Sequence, residues 1–261
     1  MRKEKKLEAI LKDLEGAVIA FSGGVDSTYL LKKAVDVLGT NRVLAVTAAS
    51  ETYPGRELDE AKKLACDIGA RHRVIHTSEL AIKNFSKNPP DRCYYCKKEL
   101  FGTLTKIARE EDLVWVLDGS NFDDLKDHRP GSQAALELGV RSPLKEAGMA
   151  KNEIRKSSQS LGLSTWSKPA FACLSSRFPY GQEITAEKLG QVATAEDFLS
   201  ELGFTQFRVR HHGSVARIEV LPAERKKALQ HSEAICRAFS EAGFKYAALD
   251  LLGYRQGSMN E

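Results

Sequence analysis

The sequence predicts an α/β protein, a doubly wound parallel sheet followed by a smaller C-terminal α+β unit. Over residues 1–164, short apolar β-rich runs alternate with helical patterns, the grammar of a parallel sheet covered by helices. From about residue 165 this alternation stops, and a stretch rich in Pro, Gly and Ser leads into a different mix of helices and strands over 165–261.

Leu7, Ile10, Leu11 and Leu14 recur at helical spacing between charges, so the N-terminus reads as an amphipathic helix rather than a signal peptide, and a cytoplasmic protein is expected. Strands are predicted at 17–21, 43–48, 73–76 and 114–117, with a weaker one at 140–142. Helices are predicted at 27–38, 56–68, 94–110 and 145–161. The segment 165–185 reads as a long structured loop. Beyond it come a helix at 186–202, strands at 206–211 and 215–220, a helix at 223–242 and a last strand at 246–251.

The composition, 42% hydrophobic and 28% charged over 261 residues, is that of an ordinary globular chain. No apolar run approaches the roughly 18 residues of a membrane span, so no membrane association is expected. Lys and Arg (39) are interleaved with Asp and Glu (35), and a net charge of +4 lacks the clustered basic face of a nucleic-acid binder. Five cysteines, unevenly spaced, point to metal ligands, nucleophiles or core residues rather than disulfides.

The first predicted strand runs into Ser22-Gly23-Gly24-Val25-Asp26-Ser27 and then a helical pattern. This is a strand-loop-helix anion site: the glycines bring backbone N–H groups against phosphate oxygens, and the serines and the helix N-terminus add donors and charge. A carboxylate beside bound phosphates requires a cation between them, which assigns Asp26 to Mg²⁺. The Walker pattern is absent, and no lysine in the loop is available to neutralise a γ-phosphate. Thr47, Ala48, Ala49 and Ser50 follow the second strand and are candidates for an adenosine pocket. Asp118, Gly119, Ser120, Asn121, Asp123 and Asp124 follow the fourth, at the same predicted edge. One of these acids is a further metal candidate; an ordinary Asp/Gly turn is the alternative.

Cys93 and Cys96 form a CxxC at the start of a predicted helix, where Arg92, Lys97, Lys98 and the helix terminus favour thiolate. With Cys173, far along the chain, they could hold three irons of a [4Fe–4S] cluster and leave the fourth open to an external sulfide. A redox pair, coincidence or a zinc site completed by His72, His76 or His128 are the alternatives. Cys66 and Cys236, inside helical patterns beside apolar residues, read as buried core.

SGGVDS resembles the signature of the pyrophosphate-loop ATP pyrophosphatases. Together with NPPDRCYYCK, DHRPG followed by RSPL, KPAFACLSSRFPYG, FRVRHHG and LGYRQGS, it makes nearly the whole chain resemble the ATP-dependent sulfur transferases of LarE type. The resemblance implies an adenine nucleotide α-hydrolase-like fold, cleavage of ATP between its α- and β-phosphates, and adenylation of the carboxylates of pyridinium-3,5-biscarboxylic acid mononucleotide on the way to thiocarboxylates. It implies that Cys173 matches the sulfur-donor cysteine, which becomes dehydroalanine in the sacrificial version. The extra Cys93 and Cys96 imply instead a cluster that carries the sulfur and makes turnover catalytic. That substrate's phosphate and carboxylates demand cations: Arg208 and Arg210, alternating on one face of a predicted strand, are candidates, as is Arg177, with solvated surface arginines the alternative. Glu196 and Glu219 match acidic positions near the family's active site. The expected partner is therefore a small-molecule nucleotide, and a homo-oligomer is expected.

A tRNA 2-thiolation enzyme would need a broad basic surface. An NAD or GMP synthetase-like ligase leaves the cysteines unexplained. A nucleotide sensor on the same sheet would bind ATP without releasing pyrophosphate.

Overall fold

The computed structural model describes residues 2–126, 130–169 and 172–255. The chain divides into two compact units, Met1–Thr77 with Asp91–Ala170, and Ser78–Pro90 with Phe171–Glu261.

The first unit runs α1 (Arg2–Lys12), β1 (Ala17–Ala20), α2 (Val25–Leu38), β2 (Val43–Ala49), α3 (Gly55–Ile68), β3 (Arg71–His76), α4 (Arg92–Glu110), β4 (Trp115–Leu117), α5 (Pro130–Glu137), α6 (Pro143–Glu146) and α7 (Lys151–Ser160). Its four strands are parallel in the order β3-β2-β1-β4, with Ala17 in register with Val43 on one side and Trp115 on the other. Successive strand residues face opposite sides, and both sides are covered, which is why these strands read as continuous apolar runs. Ala17, Ile19, Val43 and Ala45 pack with Leu7 and Leu11 of α1 and Leu30 and Leu31 of α2. Val18, Leu44, Val46 and Val116 pack with Phe101, Leu104 and Ile107 of α4. This is an α/β adenine nucleotide α-hydrolase-like arrangement. The chain leaves β1 toward β2 on one side and reaches β4 on the other, so the strand order reverses beside β1, where open α/β sheets hold their ligands.

Three readings of this unit need correcting. Residues 140–142 form no strand, only a single parallel bridge from Leu117 to Arg141. The helix expected over 145–161 is two, α6 and α7, because Gly148 adopts a φ of +73° that no helix continues through. Cys66 is exposed, since it lies past Ala65 on the face of α3 that turns away from the buried Ala61, Leu64 and Ala65. No helix among the described residues is long and apolar enough to cross a membrane.

The second unit contains α8 (Ala186–Glu201), β5 (Phe207–His212), β6 (Val215–Val220), α9 (Arg225–Gln230), α10 (Ser232–Glu241) and β7 (Tyr246–Leu249). Its sheet is mixed: β5 and β6 form an antiparallel hairpin, and β7 adds parallel to β6. The helix expected over 223–242 breaks at His231 into α9 and α10. On α10, Ile235 and Phe239 face inward and Cys236, one residue round, is exposed, so the second cysteine read as core is also on the surface. Residues 78–90 belong to this unit through backbone and amide hydrogen bonds. Asn88 is fully buried and donates Nδ2 to the Phe178 and Pro179 carbonyls at 3.3 and 2.7 Å. Its own carbonyl accepts from Gly181 N–H, and the Ser86 carbonyl accepts from Ile184 N–H.

Candidate functional site

In the first unit the phosphate loop is held entirely from behind. The Phe21 carbonyl accepts from Thr47 Oγ1 at 2.8 Å, and the Ser22 carbonyl from Tyr53 Oη at 2.8 Å. The Gly23 carbonyl accepts from Lys168 Nζ at 3.3 Å, and the Gly24 carbonyl from Ser27 Oγ at 3.1 Å. Four consecutive carbonyls are thus committed away from a ligand, while the N–H groups of Val25, Asp26 and Ser27, in the first turn of α2, precede any intrahelical acceptor. Gly23 carries a φ of +62°, open to glycine at little cost. Ser22 and Ser27 brace each other, Oγ to Oγ, at 3.1 Å. Thr47, expected at an adenosine pocket, donates its hydroxyl in this bracing, with its oxygen 2.9 Å from His72 Nε2. Burial, with the nearby Lys62 charge, holds the His72 imidazole below its ordinary pKa. Ala48 is half-buried at the same strand end.

The segment after β4 closes against this loop. A Cβ at Gly119 would lie 3.0 Å from Ser27 N and 3.2 Å from Ser27 Cα, so only glycine permits the approach. Asp118 does not turn toward the loop. It is buried and accepts from Ser120 N–H, Ser120 Oγ and Ser142 Oγ at 3.2, 2.7 and 2.7 Å, which makes it the brace of its own turn. Asp123 accepts from the Lys151 N–H and Asp124 from the Asn121 N–H.

Asp26 meets a cation that sequence reading missed. Its Oδ2 lies 2.5 Å from Lys151 Nζ and 3.4 Å from Asn121 Nδ2, while its buried Oδ1 has no hydrogen-bond partner. Burial raises the Asp26 pKa, Lys151 and Asn121 oppose that, and Asp124 adds to it. The available clue was that Lys151 opens α7, the end where a helix dipole disfavours a cation. Lys168 gave no such clue. It joins Gly23 to Glu57 and Glu60, with Nζ to carboxylate distances of 2.8 and 2.7 Å, and Arg155 fixes the carbonyls of Trp166 and Lys168.

Among the described residues no group of three or more His, Cys, Asp or Glu is arranged to hold a metal ion, and His128 lies outside those residues. Cys93 and Cys96 are the second and fifth residues of α4, a spacing that places them on one side of the helix, Cys93 exposed and Cys96 half-buried. The chain closes on them through Gly131 of α5, where a Cβ would meet Lys97 Cγ at 3.0 Å and the Cys93 carbonyl at 3.4 Å.

In the second unit Cys173 is half-buried and opens a short turn, Leu174–Arg177. Arg177, Arg208 and Arg210, the cations expected to meet substrate anions, are buried, which sets aside the alternative of solvated surface arginines. Arg177, with no exposed surface, makes a two-point pair with Glu196 of α8 at 2.9 Å on each arm. Its remaining nitrogen, Nη1, reaches the Ala172 carbonyl at 2.7 Å, the Cys173 carbonyl at 3.2 Å and Ser176 Oγ at 2.8 Å. Glu196 also accepts from Val209 N–H, on the outer edge of β5. Burial opposes its charge, but Arg177, that N–H and Arg208 outweigh burial and hold the carboxyl below its ordinary pKa.

Arg210 donates to the Ser176 carbonyl at 2.9 Å and to Glu219 at 2.8 Å; Glu219 also takes Arg217 at 3.0 Å. Arg208 stands opposite Glu219 in the ladder, donates to the Phe207 carbonyl at 2.6 Å and lies over the Tyr254 ring. Burial and the neighbouring Arg177 lower its pKa to about 10. Two buried guanidiniums, Arg177 and Arg210, each paired with a buried glutamate, thus donate to the turn that carries a thiol.

Residues 4–94 match the NAD synthase family model. The chain is 48% identical to an uncharacterized protein of Synechocystis sp., covering 98% of this chain and 97% of that one. It is 42% identical to the pyridinium-3,5-bisthiocarboxylic acid mononucleotide synthase of Lactiplantibacillus plantarum, over 99% of this chain and 94% of the relative. An uncharacterized protein of Methanocaldococcus jannaschii is 32% identical over 91% of this chain and 90% of its own length. With a tied-back phosphate loop in one unit and a braced cysteine turn in the other, the chain belongs to the LarE-type family of pyridinium-3,5-bisthiocarboxylic acid mononucleotide synthases, relatives of NAD synthase within the pyrophosphate-loop superfamily.

Proposed function

We propose that this enzyme uses ATP to convert carboxylates of pyridinium-3,5-biscarboxylic acid mononucleotide into thiocarboxylates. The observation that carries the reading is the hold on Cys173: a fully buried arginine donates to the backbone of the turn that presents a half-buried thiol. The relative at 42% identity supplies the substrate class.

Ser22, Gly23, Gly24 and Ser27 cradle the phosphates, with Gly119 packed against the cradle and Thr47, Ala48 and Asp118 shaping its surroundings. Asp26 suits Mg²⁺, because its enclosed Oδ1 lacks a partner and Mg²⁺ is commonly held by one or two carboxylates plus phosphates; the ion would neutralise phosphate charge. A substrate carboxylate oxygen attacks the α-phosphorus, the bond to the β-phosphate breaks, and pyrophosphate leaves with the electron pair. Sulfur then adds to the acyl carbon and AMP departs, which gives a poor electrophile a good leaving group. Arg208 and Arg210 bind substrate anions, and Arg177, Glu196 and Glu219 set the cysteine turn and the arginines.

Two sources of sulfur fit these residues. Cys173 can attack and then lose its Cβ–Sγ bond as its Hα is removed, leaving dehydroalanine and the thiocarboxylate. We favour the alternative in which Cys93, Cys96 and Cys173 hold a [4Fe–4S] cluster, because a CxxC on α4 plus one remote cysteine is the ligand set that an open-site cluster requires. Such a cluster would supply an open iron for hydrosulfide.

The deciding experiment is iron and labile sulfide content with the visible spectrum of anaerobically purified wild type, Cys93→Ala and Cys173→Ala, alongside pyrophosphate release and the mass of the chain after turnover. A cluster lost in both variants supports the cluster route. Iron-free wild type that loses the mass of H₂S in one turnover supports the sacrificial route. No pyrophosphate release with the biscarboxylate overturns the function.

A further inference from the structure

The phosphate loop contains no lysine, yet the fold delivers one to its carboxylate. Lys151, 125 residues downstream of Asp26, places Nζ 2.5 Å from Asp26 Oδ2. Its backbone is fixed: the Lys151 N–H donates to Asp123 at 2.8 Å, and the preceding Ala150 N–H donates to Glu153 at 2.9 Å. Its side chain is one-third exposed, and a lysine stem re-aims its ammonium by rotation about single bonds without moving the helix.

Asp26 has one oxygen on Lys151 and one enclosed oxygen with no partner. A metal cation accepted at that second oxygen becomes a like-charge neighbour of the ammonium, while the phosphates that accompany it present new anions at the N-terminus of α2. Both changes push Nζ the same way.

We infer that Lys151 is an exchangeable counter-ion: it neutralises Asp26 while the loop is empty and moves to the departing pyrophosphate when nucleotide and metal bind. This rests on the ATP-consuming reading above. Lys151 supplies from α7 the charge that other phosphate loops carry within the loop, and its arrival depends on release from Asp26.

The test compares wild type, Lys151→Met and Lys151→Gln. Mn²⁺ binding to nucleotide-free protein is read by electron paramagnetic resonance, and binding of Mg·pyrophosphate and Mg·ATP by calorimetry. Removing the competing ammonium should tighten Mn²⁺ binding by about fivefold or more and weaken Mg·pyrophosphate by about tenfold or more, a pair of opposite changes that general loss of structure does not produce. Should neither variant fold, wild-type protein carries the test by lysine acetylation footprinting: Mg²⁺ alone should raise Lys151 reactivity, and Mg·pyrophosphate should suppress it. Unchanged Mn²⁺ and pyrophosphate affinities, or unchanged footprints, overturn the inference. Wild type that binds neither Mg·ATP nor Mg·pyrophosphate overturns instead the ATP-consuming reading.

Discussion

Arg177 and Glu196 face each other through two hydrogen bonds of 2.9 Å with almost no exposed surface on either side chain. Each uses its remaining capacity on backbone, Arg177 on the cysteine turn and Glu196 on the edge of β5. Removing one partner strands a buried charge, so Arg177→Met or Glu196→Leu should cost about 3–5 kcal/mol. The double variant should recover all but about 1–3 kcal/mol, the cost of the Val209 N–H left without its acceptor. Its activity should stay about a hundredfold down, because the turn has lost its donors and a misplaced nucleophile is expensive. Urea unfolding and single-turnover assays on the three variants check this; full activity in the double variant would reduce the pair to a structural role.

Gly119 makes a sharper demand than Gly131. Gly119→Ala would drive a methyl into the Ser27 backbone, which cannot yield without shifting the phosphate loop. Gly131→Ala meets its closest atom on the flexible Lys97 side chain. The first should cost about 1–3 kcal/mol and weaken Mg·ATP binding disproportionately; the second should leave nucleotide binding unaltered. Melting curves with and without Mg·ATP separate the two.

Much of the fold was legible because its signals are local. The apolar runs that become β1 and β2 and the Ser-Gly turn between β1 and α2 are properties of adjacent residues. What escaped was set by distant ones. Lys151 and Lys168 reach the loop across the fold, and nothing in their neighbours announces it beyond the awkward position of Lys151 at a helix start. Residues 78–90 carry no period, because a single buried apolar residue, Phe85, and amide and backbone hydrogen bonds hold them in the second unit. Arg177, Arg208 and Arg210 were legible as candidate cations, but not their pairing, because composition cannot reveal that Glu196 and Glu219 come to meet Arg177 and Arg210.

Lys168 should prove a structural member of the phosphate loop. Lys168→Met removes the ammonium from nearly buried Glu57 and from the Gly23 carbonyl, and should cost about 1–3 kcal/mol. Adding Glu57→Gln should restore stability by removing the stranded charge. It should not restore Mg·ATP affinity, since the Gly23 carbonyl remains unheld. Recovery of both by calorimetry would show that the lysine acts only through Glu57.

His211 gives the second unit a pH dependence of definite sign. Its ring is stacked on Phe178 at 5.0 Å, accepts at Nδ1 from Gln182 at 2.9 Å and donates from Nε2 to Gln191 at 3.1 Å, a set that suits the neutral imidazole. Burial first, then the Lys188 charge, holds its pKa below the ordinary value. In the window between that depressed value and the unfolded one near 6.5, the unfolded chain binds the extra proton, so stability is fully present above about pH 6.5 and declines as pH falls through the window. Glu196, whose pKa is also depressed, adds a loss of the same sign at lower pH, below the ordinary carboxylate range. Urea midpoints taken from pH 7.5 down to about 3 should therefore fall for wild type. In His211→Gln, which keeps polar contact with Gln182 and Gln191 but cannot titrate, the fall should be smaller above pH 5 and the later, carboxylate-driven loss should survive. Parallel curves for the two proteins across that range would place the proton uptake elsewhere.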